Sequence, residues 1–204
     1  MLMAISHASS DEPGSSDLAR RLIADALNEL HAVPSSEISL RRIAQRLGVS
    51  HQAPYVHFGG KRGFLAAVAG VGLAEAARKA ADDIHRAGPD PRRQAHALVN
   101  AYVEFASRQP HLHDLAFGPT VAKSDHPSLQ RAANDYWELL RSVTMANQAR
   151  AITEAELLRR CTVFWGTIYG ISRLAAAGQI PASVPGPTDD IIHASVDLLI
   201  EGWR

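Results

Sequence analysis

From Asp17 onward the apolar residues recur at spacings of three and four, and no stretch alternates with the period of two that marks a half-buried strand. The pattern predicts an all-α chain of about nine helices, an N-terminal three-helix head followed by a C-terminal helical bundle. Asp17 is placed to cap a first helix with Leu18, Leu22, Ala26, Leu27 and Leu30 inward, closed by Pro34. Ser39 caps a second helix whose one face is Leu40, Ile43, Ala44 and Leu47, and Gly48 stops it. Ser50 caps a very short third helix. Pro54 lacks an N–H and is tolerated only near a helix start, so this helix begins near Ser50 or His51. Gly59 and Gly60 end it, and Lys61 opens a long fourth helix reaching His85. Further helices are expected over 91–109, 110–116, 127–149, 153–177 and 188–203, with GPTVAKSDHP and IPASVPGPTDD as the clearest loops. Residues 1–16, rich in Ser, Gly, Asp and Pro, read as a mobile tail, 17–64 as the head and 65–204 as the body. No linker separates the last two, so the fourth helix belongs to both.

The run ISLRRIAQRLGVSHQAPYVHFGGKRGFL holds two short amphipathic helices joined by LGVS, the layout of a helix-turn-helix. With Ile43, Leu47, Val49, Pro54 and Phe58 inward, His51, Gln52, Ala53, Tyr55 and His57 face outward. These types suit a DNA duplex. His51 and Gln52 reach base edges, and Ala53 can touch a thymine methyl. Tyr55, His57 and Lys61 can bond phosphates. An ordinary helical hairpin with a solvated polar face is the alternative, but such faces favour Glu and Lys. Charge sharpens the picture. The chain's formal net charge is zero, yet between Asp17 and Phe64 seven Lys and Arg stand against four carboxylates, a local balance of +3.

At these residues the run resembles the N-terminal domain of TetR-type transcriptional regulators, whose pattern is S/T-L-x-x-I-A-x-x-x-G-V-S, a short helix ending Y-x-H-F, then K-x-x-L. Here it is carried by Ser39, Leu40, Ile43, Ala44, Gly48, Val49, Ser50, Tyr55, His57, Phe58, Lys61 and Phe64–Leu65. Phe64 stands where the family commonly has an aliphatic residue. The resemblance implies that Leu40, Arg41, His51, Gln52, Ala53, Tyr55, His57 and Lys61 face the DNA, with the capping Ser39 and Ser50 beside them. It also implies a repressor released from its operator by a small molecule. A recognition helix this short reads few base pairs, so a homodimer on a palindromic operator is expected, and with no secretory signal or membrane span in view the expected location is cytoplasmic. FWGTIYGISRLAAAGQIP further resembles a helix of one subgroup with a W-x-x-x-H-G pattern; Trp165 and Gly170 fit it, and Tyr169 stands where that pattern has His.

Read from the residues, Gly166 and Gly170 lie four apart on one helix, where small side chains let another helix approach. With Ile192, Val196 and Leu199 of the last helix they are candidates for a dimer interface, the alternative being a monomer core. The aromatics concentrated after residue 102 suggest a ligand pocket of Tyr102, Phe105, His113, Phe117, Trp137, Arg141, Met145, Trp165 and Tyr169, with His111, Asn134 and Thr167 as further polar candidates; plain core is the alternative. No P-loop, dinucleotide fingerprint, nucleophile elbow or cysteine-based zinc pattern is present, so no enzyme, cofactor or metal is expected. His111 and His113 point to different faces of a helix, as do Glu154 and Glu156. The single Cys161 lies in an apolar run and reads as a small buried hydrophobe. No secretory signal is visible, and the apolar runs are shorter than a membrane span requires. Two other classes stay open: an all-helical enzyme, which needs a catalytic set, and a DNA-binding adaptor whose body binds a protein.

Overall fold

In the computed structural model, which describes residues 13–203 (side chains from Asp17), every regular element is helical, as the periodicity predicts. Nine α-helices are present among the described residues: α1 Pro13–Glu29, α2 Leu40–Arg46, α3 Ala53–Phe58, α4 Lys61–Arg86, α5 Pro91–Arg108, α6 Pro110–Phe117, α7 Pro127–Ala146, α8 Glu154–Ala176 and α9 Thr188–Gly202. Single 3-10 turns occupy Ser35–Glu37 and Lys123–Asp125. Most of the expected mobile tail lies outside the described residues. Its end, however, is already helical. α1 starts at Pro13, so Asp17 is not the cap; its carboxylate instead accepts from Arg20 at 3.0 Å. Ser39 does cap α2, accepting from the Arg42 N–H. α7 stops at Ala146, short of the expected 149. There the Asn147 amide donates to Val143 O and, across to the start of α5, to Pro91 O, both at 2.9 Å, which turns the chain out of the helix.

α4 organises the rest. Its residues from Phe64 through Gly70 are all buried, so over two turns the helix is covered on every side. A helix apolar all round has no solvent face and becomes the centre of a fold. α1 and α3 pack on its N-terminal end, and α5, α6 and α7 along its length. The crossing with α7 is close: a Cβ on Gly70 would stand 2.3 Å from Ser128 Oγ and 2.5 Å from the Leu129 backbone N. Only a residue without a side chain fits there. Head and body therefore share one hydrophobic cluster, from Leu22 and Ile43 at one end to Phe164 and Ile200 at the other.

A polar cluster joins α5 to α9. His96 and His193 meet through their Nδ1 atoms at 2.6 Å, with ring planes 22° apart. Their outer nitrogens bond Asp197 Oδ1 and Asn100 Oδ1, each at 2.8 Å. Arg92 donates to the same Asp197 oxygen at 2.7 Å and reaches Glu201. One hydrogen can lie between the two Nδ1 atoms; a second would set two N–H groups against each other. Burial first, and His96 second, hold the His193 pKa below its ordinary value, while Asp189, Asp190 and Asp197 pull it partly back. The unfolded chain therefore binds the extra proton more readily than the folded one. This contribution is present above the ordinary histidine value of about 6.5 and is lost as pH falls from there through the lower value of the folded protein. Urea unfolding from about pH 7 to about pH 5 should show a steeper stability loss in the native protein than in His193→Gln. Equal slopes would remove the pair as a source of acid sensitivity.

Candidate nucleic-acid interface and body cavity

α2 and α3 are held by buried side chains on one side only. Leu40, Ile43, Ala44 and Pro54 are buried, and Phe58 sets its ring edge-on to Phe64 at 5.1 Å. The turn before α3 closes with Ser50 Oγ accepting from the Gln52 N–H at 3.2 Å and Ser50 O from the Ala53 N–H at 3.0 Å. The regular helix begins at Ala53, slightly later than expected. Gly59 and Gly60, at φ of 68° and 130°, turn the chain directly into α4. Both values lie where L side chains are strained, so this sharp junction is a backbone property.

Arg41, His51, Gln52 and Tyr55 come together on one exposed surface. Ser50 is exposed beside them, and Ser39, Ala53 and His57 are half-buried. Leu40 departs from its expected place: it is 3% exposed, and its side chain belongs to the core of the head rather than to a DNA face. The i, i+3 pattern that makes α2 amphipathic had already assigned it inward. Sequence reasoning passed over Val56, which is 80% exposed on α3 beside Tyr55 and one turn beyond Gln52. Its apolar type hid it, although Pro54 inward fixes which face it takes. Lys61 is exposed and donates to Ser36 O at 2.9 Å, tying the start of α4 to the turn after α1.

The positive balance of the head is less available than a count suggests. Arg42 is bound to Glu29 at 3.0 Å and to Glu37 O at 2.7 Å. Arg46 is bound to Asp25 and Glu29, and those carboxylates hold its guanidinium well above the ordinary arginine value. Arg62 donates to Asp125 at 2.6 Å. Among the described residues of the head, Arg21, Arg41 and Lys61 pair with no carboxylate.

In the body, a cavity of about 520 Å³ opens between α4, α6, α7 and α8. Phe117, Trp137, Trp165 and Tyr169 of the expected pocket line it. Tyr102, Phe105 and His113 stand behind that wall. Tyr102 is fully buried, packs on the rings of Phe117 and Trp165, and shares a 2.9 Å hydrogen bond with His113 Nε2. Burial pushes the Tyr102 hydroxyl up and the His113 imidazole down, so both stay neutral. Phe105 packs on His113 and Phe117. Arg141 and Met145, expected in the pocket, lie outside it. Arg141 is held outside by Glu154 at 3.1 Å, and Met145 is 44% exposed near the end of α7. Asn134 and Thr167 spend their polar groups on Gln130 and Val163 O within their own helices. Tyr136, one of the aromatics concentrated after residue 102, also lines the cavity; Leu129, Ala133 and Leu140, which with Tyr136 and Trp137 form one face of α7 at helical spacing, were not expected, nor were Val121, Ala122 and Lys123 from the loop before it. The α7 stripe was legible as periodicity; the loop residues reach the cavity through tertiary structure alone.

The loop also bridges cavity and head. Ala122, in the cavity wall, donates its N–H to Asp125 Oδ2 at 2.7 Å, and the same oxygen accepts from Arg62 at the start of α4. Next to it, His126 caps α7 and lies 6.4 Å from the Phe58 ring of α3.

The candidate dimer residues divide. Gly166 is exposed and Gly170 half-buried, and a Cβ on either would meet nothing within 4 Å. Leu199 is half-buried. Ile192 and Val196, both 0% exposed, are core residues of their own chain, where α9 packs on α5 and α8. The outward apolar side chains are instead Val163 and Leu174, on the face of α8 that carries Gly166 and Gly170, with Leu158 further round that helix and Leu198, 70% exposed, on α9. Cys161 is buried and burial pushes its thiol up, which keeps it protonated. Among the described residues no group of three or more His, Cys, Asp or Glu side chains is arranged to hold a metal, and no helix is long and apolar enough to cross a membrane.

Comparison with known proteins gives two family matches. Residues 18–68 match the model described as bacterial regulatory proteins, tetR family, and residues 95–199 match the tetracyclin repressor-like C-terminal domain. No curated protein matches the chain. Among solved structures, a protein of unknown function from Rhodococcus sp. RHA1 aligns at 26% identity and a TM-score of 0.76, over 98% of this chain and 99% of that one. The TetR family transcriptional regulator PfmR from Thermus thermophilus aligns at 15% identity and 0.60, over 90% and 99%. The TetR family repressor AlkX from Dietzia sp. strain DQ12-45-1b, implicated in biodegradation of n-alkanes, aligns at 16% and 0.58, over 96% and 97%.

Proposed function

Since the chain belongs to the tetR family of bacterial regulatory proteins, and is thus a DNA-binding transcriptional regulator rather than an enzyme, we propose that it is a homodimeric repressor that a small, largely apolar molecule releases from a palindromic operator. The observation that carries this is the aromatic-walled cavity whose loop is bonded, through Asp125, to the helix that opens at the DNA face. Its size and lining are those of a small-molecule site. The adaptor alternative would favour an exposed apolar groove in its place. The subgroup resemblance of α8 rests on Trp165 and Gly170.

At the DNA, Gln52, His51 and Val56 read bases while Arg41, Tyr55, His57 and Lys61 hold phosphates. Phosphate contacts set register and carry the salt dependence; base contacts carry preference. Arg41→Ala should weaken binding to all duplexes alike and lower the salt slope by about one counterion. Gln52→Ala should change preference among operator variants, at roughly 1–3 kcal/mol per lost bidentate contact. Arg42→Ala, which breaks the tie to Glu29, should lower stability and leave the slope nearly as it was. Anisotropy titrations across salt decide, and an unchanged slope in Arg41→Ala would dismiss the docking.

A recognition helix of under two turns reads few base pairs, so two copies related by a dyad are needed for a specific site. The outward stripe of α8 and α9 around Gly166 and Gly170 supplies the contact between copies. Gly170→Arg should yield a monomer by light scattering and lose tight operator binding at the same time. A native protein that is monomeric at micromolar concentration would end the dimer proposal.

Effector action runs along the loop. A molecule that shifts Val121–Lys123 moves Asp125 and with it Arg62, so the start of α4 and the α3 that it orients are biased together. By linkage, a compound that lowers DNA affinity by some factor has its own affinity lowered by DNA by the same factor. In Asp125→Asn that factor should shrink toward one. A compound that quenches the cavity tryptophans without changing DNA affinity would defeat the release mechanism.

A further inference from the structure

The charge around the cavity is one-sided. Among its described lining residues Lys123 is the sole ionised group; no carboxylate faces the interior. Lys123 sits at the mouth, exposed, on the single turn Lys123–Asp125, and makes no hydrogen bond or ion pair with any described residue. The obvious counter-charge, Asp125 two positions away, is committed: it accepts from the Ala122 N–H and from Arg62, and these two bonds hold its carboxyl well below the usual carboxylate range. Arg131 on α7, likewise unpaired among the described residues, adds its field, which together with burial holds the His126 imidazole down. An apolar chamber thus ends in an unbalanced cation, within a chain of zero formal charge.

Resting on the reading of the cavity as an effector site, we propose that its ligand is an organic anion: a flat, apolar body bearing one carboxylate or similar acidic group, the body among Phe117, Trp137, Trp165 and Tyr169 and the acid on Lys123 Nζ. Phe117, Trp165 and Tyr169 pack on one another at 5.0 to 6.1 Å, centroid to centroid, and so form one continuous aromatic wall on which a flat body can lie. The acid end stays near water, so its desolvation is small, and a charge-assisted bond to an ammonium replaces the one it loses. A cationic ligand would gain from the ring faces. It would, however, enter a wall without a carboxylate, past Lys123, and burying a charge without a partner costs more than ring faces return. The same contact places the ligand's charge on the turn that carries Asp125, so an anion drawing on Lys123 acts on the bond to Arg62 directly.

Three probes with one ring system separate the possibilities: naphthoate, methylnaphthalene and naphthylmethylammonium. Binding is read by quenching of Trp137 and Trp165 in a Trp203→Phe background, since Trp203 packs elsewhere, on Phe164 and Arg160. Naphthoate should bind about fivefold to tenfold tighter than methylnaphthalene, the range of an exposed to a half-shielded charged hydrogen bond. Naphthylmethylammonium should bind weakest. The naphthoate advantage should shrink with added salt, and in Lys123→Gln the ratio of the two affinities should fall to about one. Thermal unfolding of that variant shows that it is folded. Naphthoate no tighter than methylnaphthalene, naphthylmethylammonium tightest, or an unchanged ratio in Lys123→Gln each overturns the anionic ligand while leaving the cavity as a site. If none of the three quenches, the effector site falls and this inference with it.

Discussion

The fold depends on the burial of one helix. α4 has no solvent face from Phe64 to Gly70, and its closest neighbour, the start of α7, approaches so near that Gly70 admits no side chain. Close packing of this kind transmits displacement, because interiors at crystal-like density move as units. The start of α4, which carries Arg62, and the cavity-lining start of α7 are therefore two ends of one packed joint. A loop between separate domains would isolate them; this joint couples them.

Much of this was legible because local rules and tertiary structure agree in the head. Ser39 has to cap, Gly48 has to stop, and Pro54 has to stand near a helix start, so α2 and α3 follow from chemistry within a few residues of each position. Where the reading failed, the deciding contact was distant in sequence. Ile192 and Val196 form an apolar stripe that periodicity cannot direct toward the chain's own α5 and α8 or toward a second copy. Leu198, which the same pattern leaves outside, was the informative residue. Arg141 and Met145 sit on a helix that does line the cavity, but on its other faces. Lys123 and Asp125 lie in a Pro- and Gly-punctuated loop that carries no periodicity at all, and they became visible through Arg62 and the wall of α7.

Charge gives a second lesson in the same terms. Counting Lys and Arg in the head gave a basic surface, and the structure divides those cations by work. Arg42 and Arg46 clamp α2 onto α1 through Glu29 and Asp25, and Arg62 reaches into the body. Exposed pairs of this kind contribute little each, roughly up to 1 kcal/mol, but several on shared carboxylates fix orientation. The outer surface near α3 is left to Arg41, among polar and apolar side chains. The local balance of the head therefore goes mostly into holding its helices together, and the surface near α3 carries one unpaired guanidinium rather than a broad positive field.

The glycine pair at 59 and 60 bears on how such a regulator diversifies. The angle at which α3 leaves for α4 is written in two backbone conformations, 68° and 130° in φ, and owes nothing to the outward residues of α3. Gln52, Tyr55 and Val56 can be exchanged while the helix keeps its seat on Pro54 and Phe58. The outer side chains of α3 are thus free to vary, with the presentation of the helix inherited unchanged in the backbone that follows it.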